Sequence, residues 1–505
     1  MVDKMTRKKK LMLNSASSLI YQFISIICGF VLPRLFLSFY GSEVNGLVSS
    51  ITQFLGFITM AECGVGAVVQ STLYKPLADN DMISVSRIVL SSERFFKRIA
   101  YILLVYVAIL MVVYPCITIE SFDYLFTLIL IFVISISTFA QYYIGMTYKL
   151  LLNADQLGFI QYTIHTAALI LNTVACIVLM NQGASVHIVK LTTSLIFIMQ
   201  PILLSVIAKR RYKLDRKIKL TEEPIKQKWN GLAQHIATVV LGNTDTVVLT
   251  LFSTLENVSV YAVYHLVVNG VKQMVLSVTN GMQAMLGNML AKNETEELNR
   301  SFDQMEWLLH TIVTFAFSVT AILIVPFVSI YTANITDANY IVPAFAYMIT
   351  LAQAAYCFRL PYNIMVLAAG HYKQTQWSAI IEAVINVAVS VLLVFHFGLI
   401  GVAIGTVVAM VYRTVYLANY LKKNIIHRKL RHFVKHLIVD VLSAMLLFVL
   451  VTIFSSFFAL QPVNYFEWFI LAIKVALTGV FALLLVNGVF YRKKMKQFLF
   501  RFVKK

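Results

Sequence analysis

The sequence predicts an all-α polytopic membrane protein, on the basis of composition, apolar runs and an internal repeat. Of its 505 residues, 59% are hydrophobic and 13% are charged, whereas soluble chains are nearer 45–50% apolar and about 25% charged. Apolar runs long enough to cross a hydrocarbon core of about 30 Å recur along the chain. A spanning segment must satisfy its own backbone hydrogen bonds, so these runs are predicted to be helices.

Fourteen such runs define the predicted transmembrane helices. The first six fall at 12–39, 44–70, 95–117, 122–147, 157–180 and 185–207. The next six fall at 229–253, 257–290, 307–331, 340–367, 375–397 and 399–421, and the last two at 437–460 and 466–490. A tight turn is predicted at Gly41-Ser42-Glu43, between the first two spans.

Two pairs of similar segments indicate that the first twelve helices form a repeat. SEVNGL at 42–47 resembles ENVSVY at 256–261, and residues 151–172 resemble residues 366–387, both at an offset of about 214–215 residues. An even number of helices in each unit makes the two units run in the same sense. The predicted domains are therefore an N-lobe at 1–207, a basic cytoplasmic linker at 208–228, a C-lobe at 229–423, and two appended helices with a basic tail at 424–505.

The distribution of charge predicts orientation. If the N-terminus is cytoplasmic, every Lys and Arg outside the spans falls in an inward segment, whereas the outward loops carry acids. Both termini are therefore expected in the cytoplasm. The net charge of +19 is accounted for by these topology signals and by contacts to anionic lipid, so a nucleic-acid partner is not expected.

Ionisable residues inside the spans are the predicted functional residues, because each costs about 2.5–3.5 kcal/mol in lipid unless it faces protein or water. The cations expected to line a central pathway are Arg34, Lys190, Lys272, Arg359 and Arg413. The acids expected to act as their charge partners or as sites for a coupling ion are Glu62, Asp245 and Glu382. Lys474, on a helix outside the repeat, is expected to reach the outer headgroups instead.

A surplus of cations through the depth of the bundle predicts an anionic substrate that travels. Pyrophosphate and acidic sugar groups fit, since Arg offers phosphate a fork of donors and Lys a point charge. The five cysteines lie in apolar runs without a C-x-x-C pair, so neither a disulfide nor a metal is expected. No cofactor is predicted, and without a G-x-x-x-x-G-K-[ST] loop the direct use of ATP is not supported.

Several segments resemble the polysaccharide-type flippases of the multidrug/oligosaccharidyl-lipid/polysaccharide (MOP) exporter superfamily. They are PRLFLSFYGSEVNGLVSSITQFLGF, AECGVGAVVQSTLYKPLADND, GNTDTVVLTLFSTLENVSVYAVY, AAGHYKQTQWSAIIEAVINV and GLIGVAIGTVVAMVYR. The resemblance implies a two-lobed fold that moves an undecaprenyl-pyrophosphate-linked oligosaccharide across the bacterial cytoplasmic membrane by alternating access, for cell-surface polysaccharide synthesis. Polysaccharide polymerase machinery is then an expected partner. The cationic cavity of that family corresponds by position to Arg34, Lys272, Arg359 and Arg413.

Other functions remain open at this point. A lipid II flippase of the same superfamily is the main alternative, and the excess of cations disfavours a cationic-drug antiporter. A membrane-embedded polymerase or glycosyltransferase would need an outward catalytic loop or paired carboxylates at one level, and the outward loops are short and carry single acids. The protein is therefore not expected to be an enzyme. The sugar, the coupling ion, the oligomeric state and the role of the last two helices are not determined by the sequence.

Overall fold

Every element described in the computed structural model is helical, and no strand occurs among the described residues. These are residues 7–62, 65–212, 214–216, 218, 232–279 and 282–495. Nine of the described helices are long and apolar enough to cross a membrane, and many large hydrophobic side chains on them face outward. The predicted all-α polytopic class is confirmed, and the chain is a multi-pass membrane protein.

The chain divides into two compact units, Met1–Asn243 and Thr244–Lys505. Unit 1 contains α1 (Arg7–Gly56), α2 (Val65–Ala78), α3 (Met82–Ile117), α4 (Tyr124–Ala140), α5 (Met146–Ala154), α6 (Gly158–Asn181) and α7 (Val186–Arg211). A 3₁₀ segment, Phe57–Glu62, precedes α2, and a π-helical turn, Gln141–Gly145, joins α4 to α5. In its core α1 packs on α6, and α4 packs on α3 and α7.

Helix α8 (Leu232–Phe252) crosses the boundary between the units. The other helices of unit 2 are α9 (Leu255–Val278), α10 (Met282–Ala291), α11 (Thr295–Tyr331), α12 (Pro343–Phe358), α13 (Leu360–Ala368), α14 (Tyr372–Asn424), α15 (Arg431–Ile453), α16 (Ser455–Phe458) and α17 (Tyr465–Phe490). The number of spans is compatible with the predicted fourteen, and the domain boundaries at 207, 228 and 423 stay predictions.

Two glycines divide helices that would otherwise run on. Gly41 (φ 81°) breaks α1 at the predicted turn, and Gly398 (φ 52°) breaks α14 between the predicted eleventh and twelfth spans. Side-chain-bearing residues rarely adopt these conformations. The second predicted span is less regular than expected, since its helix passes into the 3₁₀ segment after Gly56.

Helix α14 is a hairpin whose two halves pack closely. A Cβ on Gly405 would lie 2.7 Å from the backbone nitrogen of Ser390, and one on Gly401 would contact the carbonyl of Leu393. Small residues four positions apart let helix backbones approach closely, and Gly401 and Gly405 do so here. Residues far apart in α14 are thereby placed side by side.

The helices that follow the predicted repeat pack on the rest of unit 2 through α11. Both α15 and α17 contact α11 and each other, and Leu323, Leu447 and Val475 share one buried apolar cluster. The Trp307 indole donates to Asn487 Oδ1 at 2.9 Å. These helices are therefore an integral part of unit 2.

Candidate functional site

The first candidate site is a cluster of buried charges at the α14 hairpin. Arg359 lies at the junction of α12 and α13, Glu382 on the first half of α14, and Arg413 on the second half. An Nη1–H of Arg359 donates to Glu382 Oε1, and Arg413 Nε lies 3.9 Å from Glu382 Oε2. The three side chains are 8%, 2% and 3% exposed. One carboxylate therefore serves two buried guanidinium groups.

A third cation joins the cluster through an aromatic ring. Lys272 Nζ, from α9, lies 4.0 Å from the centre of the Tyr356 ring. The guanidinium carbon of Arg359 lies 4.5 Å from the centre of the same ring. An aromatic face attracts cations, so Tyr356 holds both side chains in place without neutralising either. Sequence reasoning missed Tyr356, whose role depends on the approach of α9 to α12.

The cluster carries more positive charge than its partners neutralise. Arg359 and Arg413 share a single acid, Glu382, and Lys272 lies over the Tyr356 ring with no acid among its described contacts. Within the described part of the chain, Arg413 Nε and Nη1 have no hydrogen-bond partner. Unused donors on a buried cation are costly, and a ligand oxygen would satisfy them. The geometry can thus bind an anion that presents several oxygens.

Asp245 lies in a second site and has no cation among its described partners. Tyr261 OH donates to Oδ2 at 3.0 Å, the Thr406 hydroxyl lies 2.9 Å from both carboxylate oxygens, and Asn386 Nδ2 lies 3.4 Å from Oδ1. Asn386 Oδ1 is buried and has no hydrogen-bond partner among the described residues. The Val402 carbonyl oxygen lies 3.2 Å from Thr406 Oγ1 and is an alternative acceptor for the single hydroxyl hydrogen of Thr406. Several oxygens thus converge on one buried carboxylate, which suits a small cation.

Unit 1 holds the remaining predicted cations. Lys190 Nζ lies 4.2 Å from the centre of the Phe36 ring. Phe36 lies on α1, the helix that also carries Arg34. Both Lys190 and Arg34 are partly buried. Glu62 ends the 3₁₀ segment, and its side chain lies outside the described part of the structure. The predicted site residues of unit 2 are therefore brought into two defined clusters, and in unit 1 Lys190 contacts the Phe36 ring.

Lys474 binds at a helix end instead of lining a site. Its Nζ donates to the Phe457 carbonyl of α16 at 2.8 Å and lies 4.4 Å from the centre of the Phe457 ring. The expected reach of this side chain to the outer headgroups stays a prediction. Lys474 is thus a lysine of a membrane helix whose ammonium group is bound by the protein itself, which makes it a suitable control for the cations of the charge cluster.

An apolar groove of about 520 Å³ lies in unit 2 among α11, α12, the second half of α14, and α15. Its walls are mostly aliphatic and aromatic, with Thr314 and Asp440 among the few polar lining residues. Thr414, the residue after Arg413, also lines it. Sequence reasoning did not anticipate the groove, because its walls come from helices that are separate in the chain.

The sequence matches no protein-family model, and it matches no curated protein. A lipid II flippase MurJ in an inward closed conformation superposes with a TM-score of 0.70 at 14% identity, over 96% of this chain and 100% of that chain. An inward-facing multidrug resistance MATE family transporter of the MOP superfamily superposes with a TM-score of 0.58 at 15% identity, over 80% and 96%.

A third solved structure, a MATE transporter of Vibrio cholerae, superposes with a TM-score of 0.57 at 13% identity, over 84% of this chain and 99% of that chain. The chain has the fold of the MOP transporters. At these identities the resemblance concerns the fold, so the choice of substrate must come from the chemistry of the clusters above. Within the MOP fold, both clusters lie in unit 2.

The charge cluster yields a prediction for stability. Glu382→Gln leaves Arg359 and Arg413 without their shared carboxylate, and breaking a buried ion pair from one side costs about 3–5 kcal/mol. We expect a marked fall in the melting temperature of the purified protein in detergent. The control is Glu297→Gln, which removes an exposed acid from the first turn of α11. A melting temperature as high as that of the control would mean that Glu382 does not neutralise the arginines.

Proposed function

We propose that this protein is a flippase that carries undecaprenyl-pyrophosphate-linked oligosaccharide across the bacterial cytoplasmic membrane. The observation that carries the proposal is the uncompensated cluster of Lys272, Arg359 and Arg413 in the membrane-spanning part of a MOP-type fold. Permanent burial of this excess positive charge without a ligand would cost free energy of folding. A travelling anionic head group supplies the missing negative charge.

Pyrophosphate fits the donors of this cluster. Guanidinium groups present forks of N–H donors to phosphate oxygens, and an ammonium group adds a point charge. The unbonded Nε and Nη1 of Arg413 supply two such donors, and among the described residues Lys272 is held by the Tyr356 ring. A cationic drug would be repelled by the same charges, so a drug antiporter is the less suitable function for this MOP-type fold.

The apolar groove offers a place for the lipid part of the substrate. It opens among membrane helices and is lined by apolar side chains of α11 and α15. We propose that part of the isoprenoid tail lies there while the pyrophosphate contacts Arg413, since Thr414 on the same helix lines the groove. The tail then never has to cross water, and only the polar head group needs a hydrated path.

The orientation proposed for the flippase follows the charge distribution. With both termini in the cytoplasm, the basic segments meet the negatively charged inner leaflet. Loading then occurs from the cytoplasmic side, and alternating access releases the head group outside. Polysaccharide polymerase machinery is the expected partner on that side.

A lipid II flippase is the second candidate, and the similarity to a structure bearing that name favours it specifically. Both substrates carry a pyrophosphate on a long isoprenoid, so the charge cluster serves either one. They differ in the head group beyond the phosphates. A membrane-embedded polymerase or glycosyltransferase is a weaker candidate, because the similar solved structures are named flippases and transporters.

A deletion strain distinguishes the two flippase functions. Without the protein, undecaprenyl-linked saccharide repeat units are expected to accumulate on the cytoplasmic leaflet, and surface polysaccharide is expected to fall. Lipid extraction with mass spectrometry identifies the accumulated precursor. Accumulation of lipid II alone would mean that the substrate is the peptidoglycan precursor and not the oligosaccharide. Unchanged levels of both lipids would contradict a flippase function.

The role of Arg413 is tested by complementation of that strain. A lost charge-assisted hydrogen bond costs about 1.5–3 kcal/mol, so Arg413→Gln is expected to lower the export rate roughly 10- to 100-fold. Glu382 keeps Arg359 as its partner in this variant, so protein levels should be retained. Lys474→Gln is the matched control, because Lys474 binds a helix carbonyl. Equal export by both variants would assign Arg413 a structural role only.

Asp245 is proposed as the site of a coupling sodium ion, because the hydroxyl oxygens of Thr406 and Tyr261 lie beside its carboxylate and Asn386 Oδ1 has no hydrogen-bond partner among the described residues. A ligand at 100 times its dissociation constant stabilises a fold by about 2.7 kcal/mol. Sodium chloride should therefore raise the melting temperature above its value in choline chloride at equal ionic strength. The shift should vanish in Asp245→Asn and persist in Glu297→Gln. Absence of the shift in the unmodified protein would remove sodium from the proposal.

A further inference from the structure

A network of buried polar side chains joins α11, α13 and α15 near the cytoplasmic ends predicted for these helices. His310 Nδ1 lies 2.6 Å from Asp440 Oδ2, and His310 Nε2 lies 3.1 Å from Tyr362 OH. Tyr362 OH donates in turn to Glu306 Oε1 at 2.8 Å. His310 and Glu306 are 1% and 2% exposed. The chain of contacts is continuous from Asp440 to Glu306.

Counting hydrogens along this chain determines the charge of His310. Tyr362 has one hydroxyl hydrogen, which it gives to Glu306. The contact between Tyr362 and His310 Nε2 is then a hydrogen bond only if Nε2 carries a hydrogen. Nδ1 must also carry one in order to donate to the Asp440 carboxylate. His310 with both hydrogens is an imidazolium.

The second histidine of the network needs no extra proton. His436 Nε2 lies 3.3 Å from Glu306 Oε2, and Tyr491 OH lies 2.9 Å from His436 Nδ1. A neutral imidazole with its hydrogen on Nε2 satisfies both contacts, since Nδ1 accepts from Tyr491. The two imidazole rings stack with centroids 4.9 Å apart, an arrangement that disfavours two positive charges. The single extra proton therefore belongs to His310.

The groups that are directly ion-paired in the network balance when that proton is present. The acids are Asp303, Glu306 and Asp440, and the permanent cations paired with them are Arg428 and Lys494. A protonated His310 brings the sum over these groups to zero, whereas a neutral one leaves a negative charge. The titratable and charged groups that face His310 or its partners from the packed elements are Glu306, Tyr362, His436, Asp440, Tyr491, Arg428, Lys494, Asp303, His432 and Lys435.

One end of the network reaches water. Arg428 donates to Glu306 Oε2 at 2.5 Å and to Asp303 Oδ1 at 2.7 Å. Lys494 Nζ lies 2.5 Å from Asp303 Oδ2, and the Asp303 side chain is 36% exposed. The other end is Asp440, which accepts from Thr314 at 2.7 Å and lines the apolar groove together with it. The network thus joins the groove wall to the aqueous boundary.

We propose that this network is a proton-binding site, in which His310 holds one proton as an imidazolium between Asp440 and Tyr362 and exchanges it with water at the Asp303 end. For release, the Nε2 hydrogen passes to the Tyr362 oxygen while the Tyr362 hydrogen passes to Glu306. His310 is left neutral, Tyr362 remains a phenol that now donates to Nε2, and Glu306 becomes a carboxylic acid. Glu306 then gives the proton directly to a water molecule that enters beside Asp303, because Arg428, which joins the two carboxylates, keeps its own protons. Uptake is the reverse.

This exchange changes the charge beside the groove. With the proton bound the network is neutral, and after its release a net negative charge remains on a network whose Asp440 lines an apolar surface. A net charge next to an apolar occupant is unfavourable, so protonation of His310 and occupancy of the groove favour each other. This last step rests on the flippase function proposed above. The proton-binding site itself does not depend on it.

The test is ¹⁵N solid-state NMR of the full-length protein, labelled at histidine and reconstituted in liposomes at about neutral pH, where imidazolium and neutral imidazole give distinct spectra. The signal lost in His310→Gln assigns His310. We expect an imidazolium pattern for His310 in the unmodified protein. We expect a neutral pattern in Asp440→Asn, which removes the counter-charge, and in Tyr362→Phe, which removes the Nε2 acceptor. Tyr264→Phe is the matched control, because its hydroxyl donates to the Tyr340 carbonyl outside the network and its loss should leave the His310 pattern unchanged.

A neutral His310 in the unmodified protein would overturn the proposal. An imidazolium pattern retained in both Asp440→Asn and Tyr362→Phe would overturn it as well, since the network would then not hold the proton. If a variant does not fold, the spectrum of the unmodified protein at neutral and at alkaline pH still decides, because a proton-binding site must lose the imidazolium signal reversibly. None of these outcomes depends on the lipid that accumulates in the deletion strain, so the two proposals fail separately.

Discussion

The structure depends on the cost of burying charge in a membrane protein. Each ionised side chain in a low-dielectric setting needs a partner or access to water, and the described residues of unit 2 meet this need in four ways. Glu382 neutralises Arg359, the Tyr356 ring holds Lys272, a helix carbonyl holds Lys474, and neutral donors surround Asp245. The imbalance that remains at Arg413 is what points to an anionic ligand.

The hairpin in α14 brings together the residues of both candidate sites. Gly398 reverses the chain direction, and Gly405 lets the two halves approach at Ser390. Glu382 then faces Arg413 across the hairpin, and Asn386 faces Thr406. One turn therefore places an anion-binding cluster and a carboxylate with oxygen ligands on the same pair of helices. A movement of either half would act on both sites at once, which suits a transporter that couples an ion to an anionic substrate.

The proton network adds a third ionisable site, located where α15 and the residues after α17 meet α11. The last two predicted helices therefore contribute Asp440 and His436 as well as apolar packing. Asp440 belongs both to this network and to the groove, so the charge state of the network and the environment of a lipid tail share one side chain.

Much of the fold followed from patterns that are local in the chain. Long apolar runs predicted the helices, and Gly41 marked a turn that needs a positive φ. The partner of each buried charge was harder to predict, because it depends on which helices pack together. Glu382 was expected to pair with a cation, but its position between two arginines required the hairpin. The proton network had a signal that was overlooked: Glu306 and His310 are four residues apart, as are His436 and Asp440, so each pair shares a helix face.

The sequence by itself determined the membrane class, the helical elements and which charged residues lie in membrane-spanning segments. The reason is that hydropathy and helical periodicity are properties of a single helix. Tertiary structure alone decided which of those charges meet. It placed Tyr356 between Lys272 and Arg359, surrounded Asp245 with uncharged partners among the described residues, and set His310 between a carboxylate and a phenol. The physical reason is that electrostatic and hydrogen-bond energies depend on distances of a few ångströms between separate helices, and packing sets those distances.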